Sequence, residues 1–368
     1  MKKGYFIISE INFIFDENNS VGVHKKINNQ FQAFRKSGFD CDLINLNPEK
    51  TNLIKRFFDC FRSNVYKNIE IDNCDFIYVR RIIPNNKSFI CLLKRIKERN
   101  PDVKIIYELP TYPYDSEHTS LKQKVILFVD KIYRKKLHNY VDLMTTYSYD
   151  KEIFGVKALT IKNGINVSKI PVVENNNFNS KEITLIAVAQ FALWHGFDRL
   201  IEGLKNYYSN NHETKVNILF VGNGKCLEEY KVLVSNYKLD NYVFFLGMLN
   251  GQKLTDAFNN ADIGICSLGC HRMNIFLSSV LKSREYLSRG LPIVTSTKID
   301  IVPEDFKYCL SFPEDESPID IEKIVDFYLE LVKNESVSDI HKNIRQFAEQ
   351  TCDMTKVMKP VFDFIEQN

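Results

Sequence analysis

Short apolar runs recur along the chain, each followed by a polar turn and then by a stretch with helical spacing. Residues 4–9 read as a buried strand, Val21, Gly22 and Val23 fall in the loop after it, and a helix is expected from about 24 to 37. Further strands are expected at 41–46, 76–79, 104–107 and 143–146, with helical stretches between most of them. A second series follows the polar break at 174–180, with strands at 184–188, 217–221, 242–246, 263–266 and 291–294. Alternation of this kind predicts an α/β chain of two doubly wound, Rossmann-like domains. The expected division is residues 1–167 and 168–344, with the last helical stretch, 345–368, crossing back to the first domain.

The second series is organised around residues 278–296, one helix and one strand. Val280, Leu281, Tyr286 and Leu287 supply an apolar side, Gly290 stops the helix, and Pro292 prevents its continuation before Ile293 and Val294. Lys282 and Glu285 lie three residues apart and so project from one face. A helix start gathers unpaired N–H groups and a partial positive charge, which suits a phosphate. A carboxylate one turn later can accept hydrogen bonds from the hydroxyls of a ribose. An ordinary amphipathic helix with a surface Lys–Glu pair has the same spacing.

A helix over about 121–140 carries a different pattern. Leu121, Val125, Phe128 and Ile132 form one stripe, flanked by Lys124, Lys131 and Lys135 on one side and by Lys122 and Lys136 on the other. Apolar residues edged by lysines suit an anionic membrane surface, and a core-facing helix with a solvated basic face fits equally. The charge distribution bears on this choice. Residues 1–167 carry 28 Lys and Arg against 19 Asp and Glu, while residues 168–368 carry 21 against 27, so the first half is the one suited to an anionic partner.

Composition otherwise narrows the classes. No apolar run reaches the roughly 18 residues of a membrane span, and no secretory leader is evident at the start. Nine cysteines stand singly without a framework, as in a cytoplasmic protein with reduced thiols. The basic half lacks the aromatic and glycine pattern of an RNA-reading sheet, so nucleic acid is not an expected partner. Leu219 to Lys225 resembles the start of a dinucleotide fingerprint, but position 227 is Leu where a third glycine is needed. Asp40 and Asp42 sit at the start of an expected strand and not at the carboxyl end where α/β sheets place ligands, and Cys266, Cys270 and His271 lack a second ligand cluster, so no metal is expected.

Four segments together resemble a retaining glycosyltransferase of the GT-B fold, similar to family four and its capsular and exopolysaccharide members. They are the glycine loop at Gly22, the stretch from Ala187 to Leu204 that contains Trp194-His195-Gly196, the turn Val221-Gly222-Asn223-Gly224, and residues 278–296. Asn163-Gly164-Ile165-Asn166 is similar to the family's Asn-Gly-Ile-Asp at the domain crossover.

The resemblance implies a nucleotide-sugar donor on the second domain, a lipid-linked or oligosaccharide acceptor on the first, and no bound metal or other cofactor. It implies donor contacts at Gly22, Gln190, Trp194, His195, Gly222, Met248, Ser279, Leu281, Lys282 and Glu285, with Glu285 on the ribose and Lys282 on the diphosphate. Glu108, at a strand end, and Lys282 are the implied catalytic residues. Two departures stand out. The family's Arg and Lys are replaced by Gln190 and His195, so Lys282 is expected to restore one cation, and the first of its paired glutamates falls at Leu277. The expected function is sugar transfer in surface-polysaccharide assembly by a cytoplasmic protein, peripheral to the inner leaflet. A non-catalytic nucleotide-sugar-binding scaffold and a nucleotide-sugar epimerase are the alternatives.

Overall fold

The computed structural model describes residues 1–13, 22–47, 58–115, 120–174, 179–210 and 212–367. The chain divides into two compact units, residues 1–162 with 357–368, and residues 163–356.

Unit 1 is built on a seven-stranded sheet. Its strands are β1 (Lys3–Ile8), β2 (Asp40–Asn45), β3 (Phe76–Arg80), β4 (Lys104–Leu109), β5 (Leu143–Thr146), β6 (Glu152–Ile153) and β7 (Val156–Thr160), in the order β2-β1-β3-β4-β5-β7-β6. All neighbours are parallel except the β6–β7 pair. Strand β3 is buried at all five positions, as expected of a strand covered on both faces. On one face Phe6, Phe34, Phe39, Phe76 and Tyr78 stack, and Phe362 of the last helix, Lys359–Glu366, closes on Phe34 at 5.0 Å between ring centres. This aromatic contact is why the C-terminal segment belongs to unit 1.

Unit 2 carries β8 (Glu182–Phe191), β9 (Lys215–Gly224), β10 (Val243–Gly247), β11 (Ile263–Ile265), β13 (Ile293–Thr295) and β15 (Cys309–Ser311) in one parallel sheet. The order β10-β9-β8-β11-β13-β15 reads 3-2-1-4-5-6 within the unit, the Rossmann order, so strand order reverses between β8 and β11. A separate parallel pair joins β12 (Leu277–Ser278) to β14 (Lys298–Ile299). Alternate residues of β8 feed two cores, with Ile183, Leu185 and Ala187 on one side and Ile186 on the other.

The expected strands are all present, and β7, β15 and the two-residue strands were not anticipated. The two-residue strands and the three-residue edge strand β15 carry too few apolar positions to show a period, and β7, of five residues, is interrupted by Lys157 and ends on Thr160. The division of the chain differs at both ends. Unit 2 begins at Asn163, and the helix Val337–Thr351 belongs to it entirely. There Arg345 donates to the carbonyls of Val167, Ile170 and Ser288, so the return to unit 1 starts at Val357 and not at 345. The break expected at 174–180 lies inside unit 2, and residues 175–178 are outside the described residues.

Gly203 lies where the helix Phe197–Tyr208 crosses the segment before the helix Ile321–Asn334, and a Cβ there would sit 1.8 Å from the Ile319 carbonyl oxygen. Gly203→Ala should therefore destabilise unit 2 by about 2–3 kcal/mol, seen as a lower denaturation midpoint at an unchanged urea m-value.

Candidate functional site

The site is assembled where the strand order of unit 2 reverses, at the carboxyl ends of β8 and β11, the position at which open parallel sheets bind ligands. Strand β8 leads through a single helical turn, Leu193–His195, into the helix Phe197–Tyr208. The junction is Gly196, at φ 62°, with its backbone so close to Leu268 and Gly269 that a Cβ would meet them at 2.6 Å. The segment after β11 is thereby held against the end of β8, and the Leu268 N–H donates to the His195 carbonyl.

His195 is buried, its ring stacked on Phe197 at 5.4 Å, and its Nδ1 accepts the Ala192 N–H at 3.1 Å. Burial, assisted by the nearby Lys282 charge, pushes its pKa down to about 3. His195 is therefore neutral and supplies no cation at this strand end. Gln190 and Trp194 are exposed at the same strand end.

The helix Leu281–Ser288 enters from the other side. Its cap residue, Val280, offers no side-chain acceptor, so the N–H groups of its first turn are not satisfied by a capping side chain. Lys282 projects from that turn. Its Nζ is buried, has no hydrogen-bond partner among the described residues, and lies 5.3 Å from the centre of the Phe197 ring. Burial lowers its pKa to about 8, against weaker opposing effects of Cys266 and Cys270. It stays charged at neutral pH. A buried ammonium without a counter-ion, beside unpaired N–H groups, is a seat for an anion.

Glu285, one turn on, is two-thirds buried and accepts from Arg289 Nη2 at 3.1 Å. The side-chain hydroxyl of Ser279 donates to Asp300 at 2.8 Å and its carbonyl accepts from Asn163 Nδ2 at 2.8 Å. Leu281 is exposed, as is Val280, which corrects the expected apolar side of this helix. The buried face is Ser283, Arg284, Tyr286, Leu287 and Ser288. Sequence reasoning missed Arg284, which is fully buried and donates to Asp300 at 2.5 Å and to the Asn163 carbonyl at 3.0 Å. The signal available was an arginine three residues before Leu287 on the helix's core side.

Gly222 is not in a turn. It pairs with Ala189 inside β9, at φ 132°, and a Cβ would lie 1.9 Å from the Ala189 carbonyl oxygen. The glycine permits tight strand pairing at the site's border. Met248 follows β10 and is 82% exposed, an open apolar surface one strand beyond β9.

The two site residues expected in the first domain fall in unit 1. Gly22 is the first residue of the helix Gly22–Lys36, and Val21 before it lies outside the described residues. Glu108, at the end of β4, is fully buried. Burial alone would raise its pKa, but Arg80 first, then Lys26 and the hydrogen bonds of Gln30 and Tyr147, hold it below the usual carboxylate range. Arg80 Nη1 reaches its two oxygens at 2.9 and 3.0 Å. With its oxygens so occupied, Glu108 has no surface for touching a substrate; it positions Arg80, Gln30 and Tyr147. Among the described residues no group of three His, Cys, Asp or Glu side chains is placed to hold a metal ion.

Residues 171–347 match the family model described as Glycosyl transferases group 1. No curated protein sequence matches the chain. Solved structures similar to it include a glycosyltransferase from Rickettsia africae (TM-score 0.61, 12% identity, 99% of this chain and 98% of that one). They also include a sucrose-phosphate synthase from Thermosynechococcus elongatus (TM-score 0.59, 13% identity, 99% of both chains). A third is Anabaena Alr3699/HepE in complex with UDP-glucose (TM-score 0.55, 14% identity, 99% of both). The likeness is one of fold, the paired Rossmann-like domains of GT-B glycosyltransferase structures.

Glu108→Ala should destabilise unit 1 by about 3–5 kcal/mol, because it leaves the Arg80 charge buried and unpaired. The carboxylate's folded pKa is depressed, so its contribution is complete above the unfolded value of about 4.3 and is lost as pH falls through the lower folded value. The stability difference between the wild type and the variant should thus be constant from pH 7 down to about 4.3 and narrow progressively below it.

Proposed function

We propose that the chain is a glycosyltransferase that moves a sugar from a nucleotide-diphosphate sugar, held by unit 2, to a lipid-linked or growing surface-polysaccharide acceptor, held by unit 1, with retention and without a metal. The match over residues 171–347 and the GT-B fold support the transferase activity and the nucleotide-sugar donor. The observation that carries the reading is the buried, unpartnered Lys282 Nζ at the uncapped start of the helix Leu281–Ser288, beside the point where strand order reverses.

In this reading the donor's diphosphate takes the place of the missing counter-ion. The bond between the sugar carbon and the diphosphate oxygen breaks, and the acceptor oxygen bonds to that carbon. The acceptor's proton passes to the departing phosphate, whose growing charge Lys282 and the first-turn N–H groups stabilise. Glu285 takes the ribose hydroxyls by exchanging its bond with Arg289, and Met248 borders the base. The UDP-glucose held by HepE makes uridine diphosphate sugars the first donors to test.

The exposed stripe of unit 1 supports a membrane-bound acceptor. Helix Leu121–Arg134 buries Leu127, Val129, Asp130 and Tyr133, while Val125, Phe128 and Ile132 face outward at 46, 65 and 40% exposure among the exposed Lys124, Lys131 and Lys135. The core is therefore served by a different face from the lysine-edged stripe; the side chains of Leu121 and Lys122 lie outside the described residues.

Three measurements test the reading. Calorimetric affinity for UDP should fall as pH rises through about 8, where Lys282 loses its proton, and Lys282→Met should weaken binding at pH 7 about tenfold or more and flatten that dependence. A flat profile in the wild type would remove Lys282 from the donor site. The same substitution should stabilise the free protein by roughly 1–3 kcal/mol below pH 8, because the buried charge disfavours folding until it is lost. Glu285→Ala should cost about 1–3 kcal/mol of nucleotide affinity. For the membrane, the protein should sediment with vesicles containing anionic lipid at low salt, and Phe128→Asp with Lys124→Glu should abolish this; equal sedimentation of the variant would exclude the stripe.

A further inference from the structure

A second concavity in unit 2 lies apart from the donor residues, at the carboxyl ends of β13 and β15, at the opposite edge of the sheet from β10. It has a volume of about 530 Å³, within the range of small-molecule sites. Its lining includes the buried Thr297 and Ile299 and the more open Phe276, Ser311, Phe312 and Glu314.

The hydroxyls along this strand end are unequal. Thr295 Oγ1 donates to the Thr297 carbonyl at 2.9 Å, and Ser296 Oγ accepts from Arg199 at 3.3 Å. Thr297, 2% exposed, has an Oγ1 with no hydrogen-bond partner among the described residues. A buried orphan hydroxyl is unfavourable, and valine would fill the same volume without that penalty, so packing does not explain a threonine here.

The chemistry of the lining selects the ligand class. Lys298 is already paired with Glu304 at 2.7 Å, and Glu314 leaves the lining net negative, which disfavours phosphate and carboxylate ligands. Phe276, 55% exposed, and Phe312 offer apolar ring faces, while Ser311, Thr297 and the two carboxylates offer acceptors and donors. A sugar ring presents the complement, a C–H face and a rim of hydroxyls.

We propose that this pocket binds an uncharged glycosyl unit, at a site separate from the nucleotide-sugar site. Its use would be to hold part of the acceptor or product chain; that use rests on the transferase reading, whereas the binding itself does not.

The test is saturation-transfer NMR and calorimetry on the full chain with methyl glucosides, methyl galactosides and N-acetylglucosamine, alongside UDP. At least one saccharide should bind saturably. Thr297→Val and Phe276→Ala should each weaken it at least fivefold, with UDP affinity unchanged within twofold. Phe276 is exposed, so its truncation reads the site even if Thr297→Val fails to fold. No saturable saccharide binding, or equal binding in Phe276→Ala, overturns the pocket; saccharide binding without UDP binding would instead sink the donor reading and leave the pocket standing.

Discussion

One buried pairing governs unit 2, that of Arg284 with Asp300. The guanidinium also reaches Val280, Ser279 and the carbonyl of Asn163, so a single side chain joins the helix Leu281–Ser288 to the loop after β13 and to the start of the unit. The Tyr286 hydroxyl, accepting from the Val188 N–H at 2.8 Å, secures the same helix to β8. Two anchors on one short helix leave it little freedom, and its first turn, with Lys282, is thereby fixed at the strand-order reversal.

The cost of this arrangement is electrostatic. Lys282 is shut away from water with an aromatic ring and thiols for company, and the neighbouring histidine is held neutral. A protein selected only for stability would carry an apolar residue there. Unpaired charge that the fold tolerates in a place where parallel sheets bind ligands is a stronger indication of anion binding than the lysine's presence in the sequence. Unit 1 shows the opposite use of charge. Arg80 pairs directly with Glu108, and Gln30 and Tyr147 complete the carboxylate's hydrogen bonds, so this buried cation already has its counter-ion.

The amphipathic helix of unit 1 shows how a periodic pattern can carry two messages. Its stripe at 125, 128 and 132 was legible from spacing, but so would be any core-facing stripe. Packing separates the two faces, because Leu127, Val129 and Tyr133 take the core face and leave the lysine-edged stripe outside.

The order of strands and helices, the doubly wound class and the approximate site segments were in the sequence, since long apolar runs and glycine-marked junctions are local signals. Gly196 and Gly222 were marked by type, but the constraint on each is a neighbouring backbone, so only the fold revealed that Gly222 sits in a paired strand. The boundary of the units depended on where Arg345 and Phe362 found partners, contacts made across long separations in the chain. Likewise the sequence named Lys282, His195 and Glu108 alike as candidates. Tertiary burial alone made the first an unpaired cation, the second a neutral ring and the third a closed ion pair, because a side chain's charge state is set by what surrounds it.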